Sequence, residues 1–119
     1  MRRGGIKCLP LLLAMIVPAL ADAQTCQFIG DRTIKRLWLE VNLGLVIVPT
    51  QNFDNAAGCA NTSQAIVPAS NPMFKNILAG AMMAMATGTP INAFGCGCQS
   101  AWNTNFPSVY NFGVGGTPL

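Results

Sequence analysis

Few side chains in this 119-residue sequence are able to do chemistry, because it has five cysteines, four acidic residues and no histidine. The absence of histidine excludes Ser-His-Asp and Cys-His nucleophiles, histidine general bases and the common zinc sites. Paired carboxylates are the remaining route to acid–base catalysis, but no spacing makes neighbours of Asp31, Glu40 and Asp54. We therefore predict a protein that is not an enzyme and uses no cofactor.

The amide-rich segment around Trp102 is the best candidate for binding a ligand. Gln99 and Asn103 flank a flat apolar indole with side chains that form directional hydrogen bonds, a combination that suits carbohydrate or peptide ligands. The alternative is that Trp102 packs in the core beside a disulfide.

The N-terminal residues 1–23 have the order of a secretory signal. A basic start precedes an apolar run over residues 8–20 and a small-residue ending, Ala21-Asp22-Ala23. The apolar run is shorter than the roughly 20 residues of a membrane span, so cleavage before Gln24 is predicted. We expect one secreted or periplasmic domain over residues 24–119, with no stable membrane insertion.

Cleavage would remove Cys8 and leave four cysteines, Cys26, Cys59, Cys96 and Cys98. In a small exported chain this number predicts two disulfides. Cys96 and Cys98 are too close for a relaxed bond across an extended glycine, so each should reach one of the other two, in either pairing. A four-thiolate zinc site is the competing interpretation, but C-x-C is not the usual zinc spacing, and we predict no metal.

The charge of the remaining domain is close to neutral, with four basic and three acidic residues. Such a balance gives no electrostatic reason to expect nucleic acid or an anionic membrane as a partner.

The clearest β unit is a predicted hairpin. Residues 33–41 alternate in polarity, residues 42–44 supply a turn, and residues 45–48 form a β-branched run. The alternation places Trp38 on one strand face, where we expect the last strand of the chain to cover it. The residues sharing that face are Ile34, Arg36 and Glu40.

A helix is predicted over about residues 72–87. Asn71 would cap it, Pro72 suits its first position, and Gly88 suits its left-handed end. One apolar stripe is expected to pack on a sheet. Its members are Phe74, Ile77, Leu78, Ala81, Met82 and Met85.

The other side of this helix is also apolar, which is unusual for a helix facing water. We predict that it forms a subunit interface through Ala79, Gly80, Met83 and Ala84. Plain exposure of small residues is the alternative.

Further strands are predicted at residues 64–67, 91–94 and 109–114, with loops at residues 50–63 and 99–105. The fold class is α+β, as a small disulfide-bonded antiparallel sheet or an OB-like barrel with one helix.

Residues 74–91 contain the pattern F-K-x-x-L-x-x-A-x-x-x-x-x-T-G-x-x-I, and Cys59-Ala60, Gln64 and Ile66 lie upstream. This pattern resembles the C-terminal half of the B subunits of bacterial subtilase-type and typhoid-type toxins. It is also similar to a broad group of small exported proteobacterial proteins of unknown role. The resemblance implies an OB-like barrel with one helix, assembled as a ring of five that binds glycans on one face.

The residues predict an exported, non-enzymatic binding module with a glycan as the favoured ligand, and the resemblance implies that it forms a homo-oligomeric ring. The alternative is a monomeric periplasmic or secreted protein with a structural or inhibitory role.

Overall fold

The computed structural model describes residues 26–115, which form a small sheet-dominated domain with one helix and two disulfides. The predicted signal at residues 1–23 and its cleavage point lie outside the described residues. The elements, in chain order, are β1 (Cys26–Arg32), β2 (Ile34–Glu40), β3 (Gly44–Pro49), β4 (Ala65–Pro68), α1 (Phe74–Thr87), β5 (Ile91–Ala101) and β6 (Thr104–Val114).

The six strands form one sheet in the order β1-β5-β6-β4-β3-β2. The expected antiparallel pairing is present in four of the five strand pairs, whereas β4 and β6 run parallel. The sheet is not closed, and an OB-like barrel is therefore not confirmed. Its two edge strands, β1 and β2, are consecutive in the chain and separated by Thr33 alone.

The predicted hairpin of β2 and β3 is confirmed, but one face assignment within it is wrong. The register between these strands shifts between Ile34 and Arg36, which is the signature of a β-bulge at Lys35. Because a bulge inserts one residue, it reverses the alternation on its N-terminal side. Ile34 is consequently buried in the main core and does not share a face with Arg36 and Trp38.

The predicted helix begins two residues later than expected, at Phe74. The side chain of Asn71 does not cap it. Asn71 Oδ1 accepts a hydrogen bond from the Met73 amide at 2.8 Å, and its Nδ2 donates to the Val109 and Tyr110 carbonyls of β6. Asn71 thus closes the turn before the helix and ties that turn to the sheet. The predicted end at Gly88 is confirmed, with a φ of 71°.

The buried stripe of α1 is rotated relative to the prediction. Ile77, Ala81 and Ala84 are buried, whereas Met82 and Met85 are exposed. Since alanine has a short side chain, it lets the helix backbone lie close to the sheet, and the longer methionine side chains are left at the border.

The C-terminal strands are much longer than predicted. β5 and β6 each contain 11 residues and form a hairpin around a two-residue turn, Trp102–Asn103. The predicted polar loop over residues 99–105 is therefore wrong, because most of it is strand.

The main core lies between α1 and the face of the sheet that we call the inner face. It is mainly aliphatic, and its largest fully buried members are Ile29, Leu45, Ile47, Val67, Ile91 and Val109. The opposite face of the sheet, here the outer face, carries a second and smaller cluster of Val46, Ile66 and Phe106.

Both predicted disulfides are present, as Cys26–Cys96 and Cys59–Cys98. The second bond fastens the loop between β3 and β4 to the distal part of β5. Within residues 26–115, no helix combines the length and the hydrophobicity that crossing a membrane requires.

Candidate ligand-binding face

The outer face of the sheet carries the aromatic side chains that sequence reasoning singled out. Strand register places Trp38 opposite Val46, and Val46 opposite Ile66, so these side chains form a row across β2, β3 and β4. Val46 and Ile66 are fully buried although they lie on the face away from the helix. Something other than the helix must cover them.

Trp38, Leu43 and Ala101 pack against this second cluster. We define the aromatic cluster as Trp38, Trp102 and Phe106. The ring centroids of Trp38 and Trp102 are 6.3 Å apart at an interplanar angle of 55°. Trp102 and Phe106 are 5.8 Å apart in an edge-to-face arrangement at 75°. Both geometries fall within the range in which aromatic pairs attract one another. Trp38 is half-buried, and contrary to expectation the ring over it comes from the β5–β6 turn rather than from residues 109–114.

Trp102 reaches this position through an unusual backbone conformation. Both turn residues have positive φ, 48° for Trp102 and 63° for Asn103, as in the type I′ turns that join tight hairpins. Asparagine tolerates this region, but a bulky side chain such as tryptophan is uncommon there. Trp102 adopts this strained conformation and is still 50% exposed to solvent.

Two charged side chains flank Trp38 on the same strand face. The Arg36 guanidinium carbon lies 5.4 Å from the centroid of the Trp38 ring, within the range of a cation–π contact. The Trp38 indole nitrogen donates a hydrogen bond to Glu40 Oε1 at 3.2 Å. The cluster therefore presents flat apolar rings with a positive and a negative group beside them.

The three predicted ligand-binding residues lie near one another at the end of the hairpin. Trp102 and Asn103 form the turn and are both exposed. Gln99 pairs with Phe106 across the hairpin, which places its side chain on the outer face as well. The Gln99 amide donates only a weak hydrogen bond, at 3.3 Å to the Ser100 carbonyl. A shallow, open depression of about 490 Å³ is lined by residues 100–105.

Sequence reasoning missed Phe106, the third ring of the cluster. Side chains two residues apart on a strand lie on the same face, so Phe106 shares the outer face with Thr104, and this spacing is the signal that could have identified it. That signal becomes visible only when Trp102–Asn103 is recognised as a turn.

The four residues predicted at a subunit interface do not lie on one free surface. Ala84 is fully buried within the chain's own core, which corrects its expected outward position. Gly80 lies against β6, where an added Cβ would be 3.3 Å from Val114 Cγ2. Ala79 and Met83 are exposed.

The carboxylates of the described residues each face a local donor. Asp31 accepts a hydrogen bond from the Asn92 side chain, and Asp54 forms an ion pair with Arg32 at 2.8 Å. In the part of the chain from residue 26 to 115, no three acidic or cysteine side chains are grouped to hold a metal ion.

Comparison with known proteins adds no assignment to this geometry. No protein-family model, curated protein or solved structure gives a significant match to the chain.

Proposed function

We propose that the protein is an exported, non-enzymatic binding module that takes a glycan against the aromatic cluster of its outer face. The observation that carries the proposal is Trp102, which is half-exposed and held in a left-handed turn beside amide side chains. An indole that served only to pack against Trp38 and Phe106 would gain most by being buried. A sugar ring laid on the exposed half would gain apolar contact, while Asn103 and Gln99 offer hydrogen bonds to its hydroxyl groups.

The order of the strands supports the same site. We propose that β1 and β2 are the two halves of one long bent strand, so that the domain is an open relative of the OB-like barrel. In OB folds, oligosaccharides and oligonucleotides bind on the face of the second and third strands, between the loops after the first and fourth. Those strands would be β3 and β4 here, and the loop after the fourth strand would be the Trp102–Asn103 turn.

A glycan fits this face better than a nucleic acid does. Four basic and three acidic side chains remain after residue 24, so the domain offers little attraction to a polyanion. Export is part of the proposal, and it rests on the sequence of residues 1–23 and on the two disulfides, which are typical of oxidising compartments.

Binding of the oxidised protein to a panel of immobilised glycans tests the proposal. We expect at least one glycan to be retained, and Trp102→Ala to weaken its binding by about tenfold or more, because the stacking surface is lost. Tyr110→Ala is the matched control, since Tyr110 is a similarly exposed ring outside the cluster. No retained glycan, or equal losses in both variants, would contradict the proposal.

The alternative function is that of a monomer with a structural or inhibitory role. Under this alternative, Trp102 only shields Trp38 and Phe106 from water. Trp102→Ala then lowers the free energy of unfolding without changing the binding of any partner. The glycan panel and an unfolding measurement on the same variant separate the two functions.

A further inference from the structure

The strand β2 has an open edge. It is the last strand in the sheet order, so that within residues 26–115 β3 lies on one side of it and no strand lies on the other. Natural sheets usually protect such an edge, because its free backbone groups are a template for pairing with another chain. Here the protection is incomplete, since Leu39 is 61% and the adjoining Val41 79% exposed.

The bulge at Lys35 limits where a partner strand could pair. Bulges and lysines are devices that blunt a sheet edge, and both occur at the start of β2. From Arg36 to Glu40 the register with β3 is regular. The pairable segment is therefore five residues long, and its centre is Trp38.

The charges of this segment are complementary to those of a second copy that runs in the opposite direction. Two copies related by a two-fold axis perpendicular to the sheet pair antiparallel, and opposite residues then share a face. With the axis at Trp38, Arg36 lies opposite Glu40 of the partner subunit, and the same pair repeats on the other side. An axis at Arg36 or at Glu40 would instead bring like charges together, which is unfavourable across strands.

We propose that the protein forms a symmetric dimer by antiparallel pairing of its β2 strands, in the register that has Trp38 at the two-fold axis. On the outer face the segment carries the positive Arg36, the aromatic Trp38 and the negative Glu40, so two antiparallel copies place opposite charges next to each other. This dimer goes beyond the proposed function, since it is independent of any ligand.

The other side of the segment supports the same partner. Beside β2 and α1 lies an apolar groove of about 300 Å³, whose lining includes Leu37, Leu39, Met82 and Met85. Met82 and Met85 are 56% and 41% exposed. In the proposed register, Leu39 lies opposite Leu37 of the partner subunit, so the grooves of the two copies adjoin and apolar surface is removed from water.

The dimer also has a consequence for the outer face. Each Trp38 lies beside its own Trp102. Pairing at Trp38 would therefore place the two aromatic clusters next to each other, and a branched or repeating glycan could engage both with higher avidity than one.

The test is the solution mass of the oxidised protein, measured by sedimentation velocity from micromolar to several hundred micromolar concentration. We expect the mass of a dimer at the upper end of this range. Glu40→Arg and Arg36→Glu should each raise the dimer dissociation constant by about tenfold or more, because two attractive pairs become repulsive. The double variant Arg36→Glu with Glu40→Arg should restore dimerisation, since its charges again match.

Lys35→Glu is the matched control, because it changes the charge of β2 at the bulge, outside the pairable segment, and should leave the mass unchanged. A monomer mass for the unaltered protein over the whole range would overturn the proposal. So would a double variant that remains as dissociated as the single ones, or a larger assembly that persists in both single variants.

The tests distinguish the dimer proposal from the glycan proposal. Trp102→Ala should keep the dimer mass. The unaltered protein should still retain a glycan at concentrations below the dimer dissociation constant, where it is a monomer. An unaltered protein that binds a glycan but stays monomeric over the whole concentration range would therefore count against this inference alone.

Discussion

The two faces of the sheet differ in chemistry and in exposure. The inner face carries aliphatic side chains that are almost completely buried under α1, and it contains no charged residue among its buried members. Within residues 26–115, the outer-face cluster has three buried apolar members, and the tryptophans beside it are themselves partly in water, with Arg36 and Glu40 next to Trp38. Burial accounts for the inner face, whereas it leaves the half-exposed rings of the outer face in contact with water, and the proposed glycan site rests on this difference.

The largest loss of stability should come from shortening a buried side chain of the inner face. Ile47 is fully buried, so we expect Ile47→Ala to lower the free energy of unfolding by about 2–5 kcal/mol through lost burial and a cavity. Denaturant unfolding of the oxidised protein measures this change. Met83→Ala is the control, and it should stay within about 0.5 kcal/mol because Met83 is exposed on the helix. Equal losses in the two variants would remove the distinction between core and surface.

A somewhat smaller effect is expected from the disulfide that holds the outer-face hairpin to the loop after β3. Replacing Cys59 and Cys98 together by alanine should cost roughly 2–4 kcal/mol, because the bond closes a loop with a sequence separation of 39. The change should also alter the tryptophan fluorescence of the folded protein, since the bond lies on the hairpin whose turn contains Trp102.

The paired replacement of Cys26 and Cys96 is the control for that fluorescence effect. Its bond joins the beginning of β1 to β5, farther along the strand from the turn, so we expect lower stability with unchanged tryptophan emission. Identical emission changes in both double variants would contradict the local role of the Cys59–Cys98 bond.

The smallest effect concerns the turn itself. Trp102→Ala and Trp102→Gly both remove the ring contacts, but only glycine adopts a φ of 48° without strain. We therefore expect the glycine variant to be more stable than the alanine variant by about 0.5–1 kcal/mol in denaturant unfolding. An alanine variant of equal or higher stability would show that the left-handed turn is not an energetic feature of the outer face.

Much of the fold could be predicted because its signals are local. The turn after β2, the proline that limits β3 and the glycine that ends α1 are short-range signals, and each marks a boundary found in the structure. The β5–β6 hairpin was not predicted because its local turn signal is weak. The first turn position has tryptophan where asparagine or glycine is usual, so the local sequence does not predict a tight turn there.

The candidate site could be predicted only in part. Trp102, Asn103 and Gln99 are close in sequence, and their proximity in the structure follows from that. The approach of Trp38 to Trp102, by contrast, depends on the order of strands in the sheet and on the turn that places Trp102 over the outer face.

The sequence by itself determined the elements with strong local signals and the set of four cysteines that form disulfides, because capping, alternation and cysteine number act over short distances or by composition. Only the tertiary structure decided the disulfide pairing, the burial of Ile34 and Ala84, the open edge of β2 and the meeting of the aromatic rings. These features depend on strand register, and a single inserted residue such as Lys35 changes which face every preceding side chain occupies.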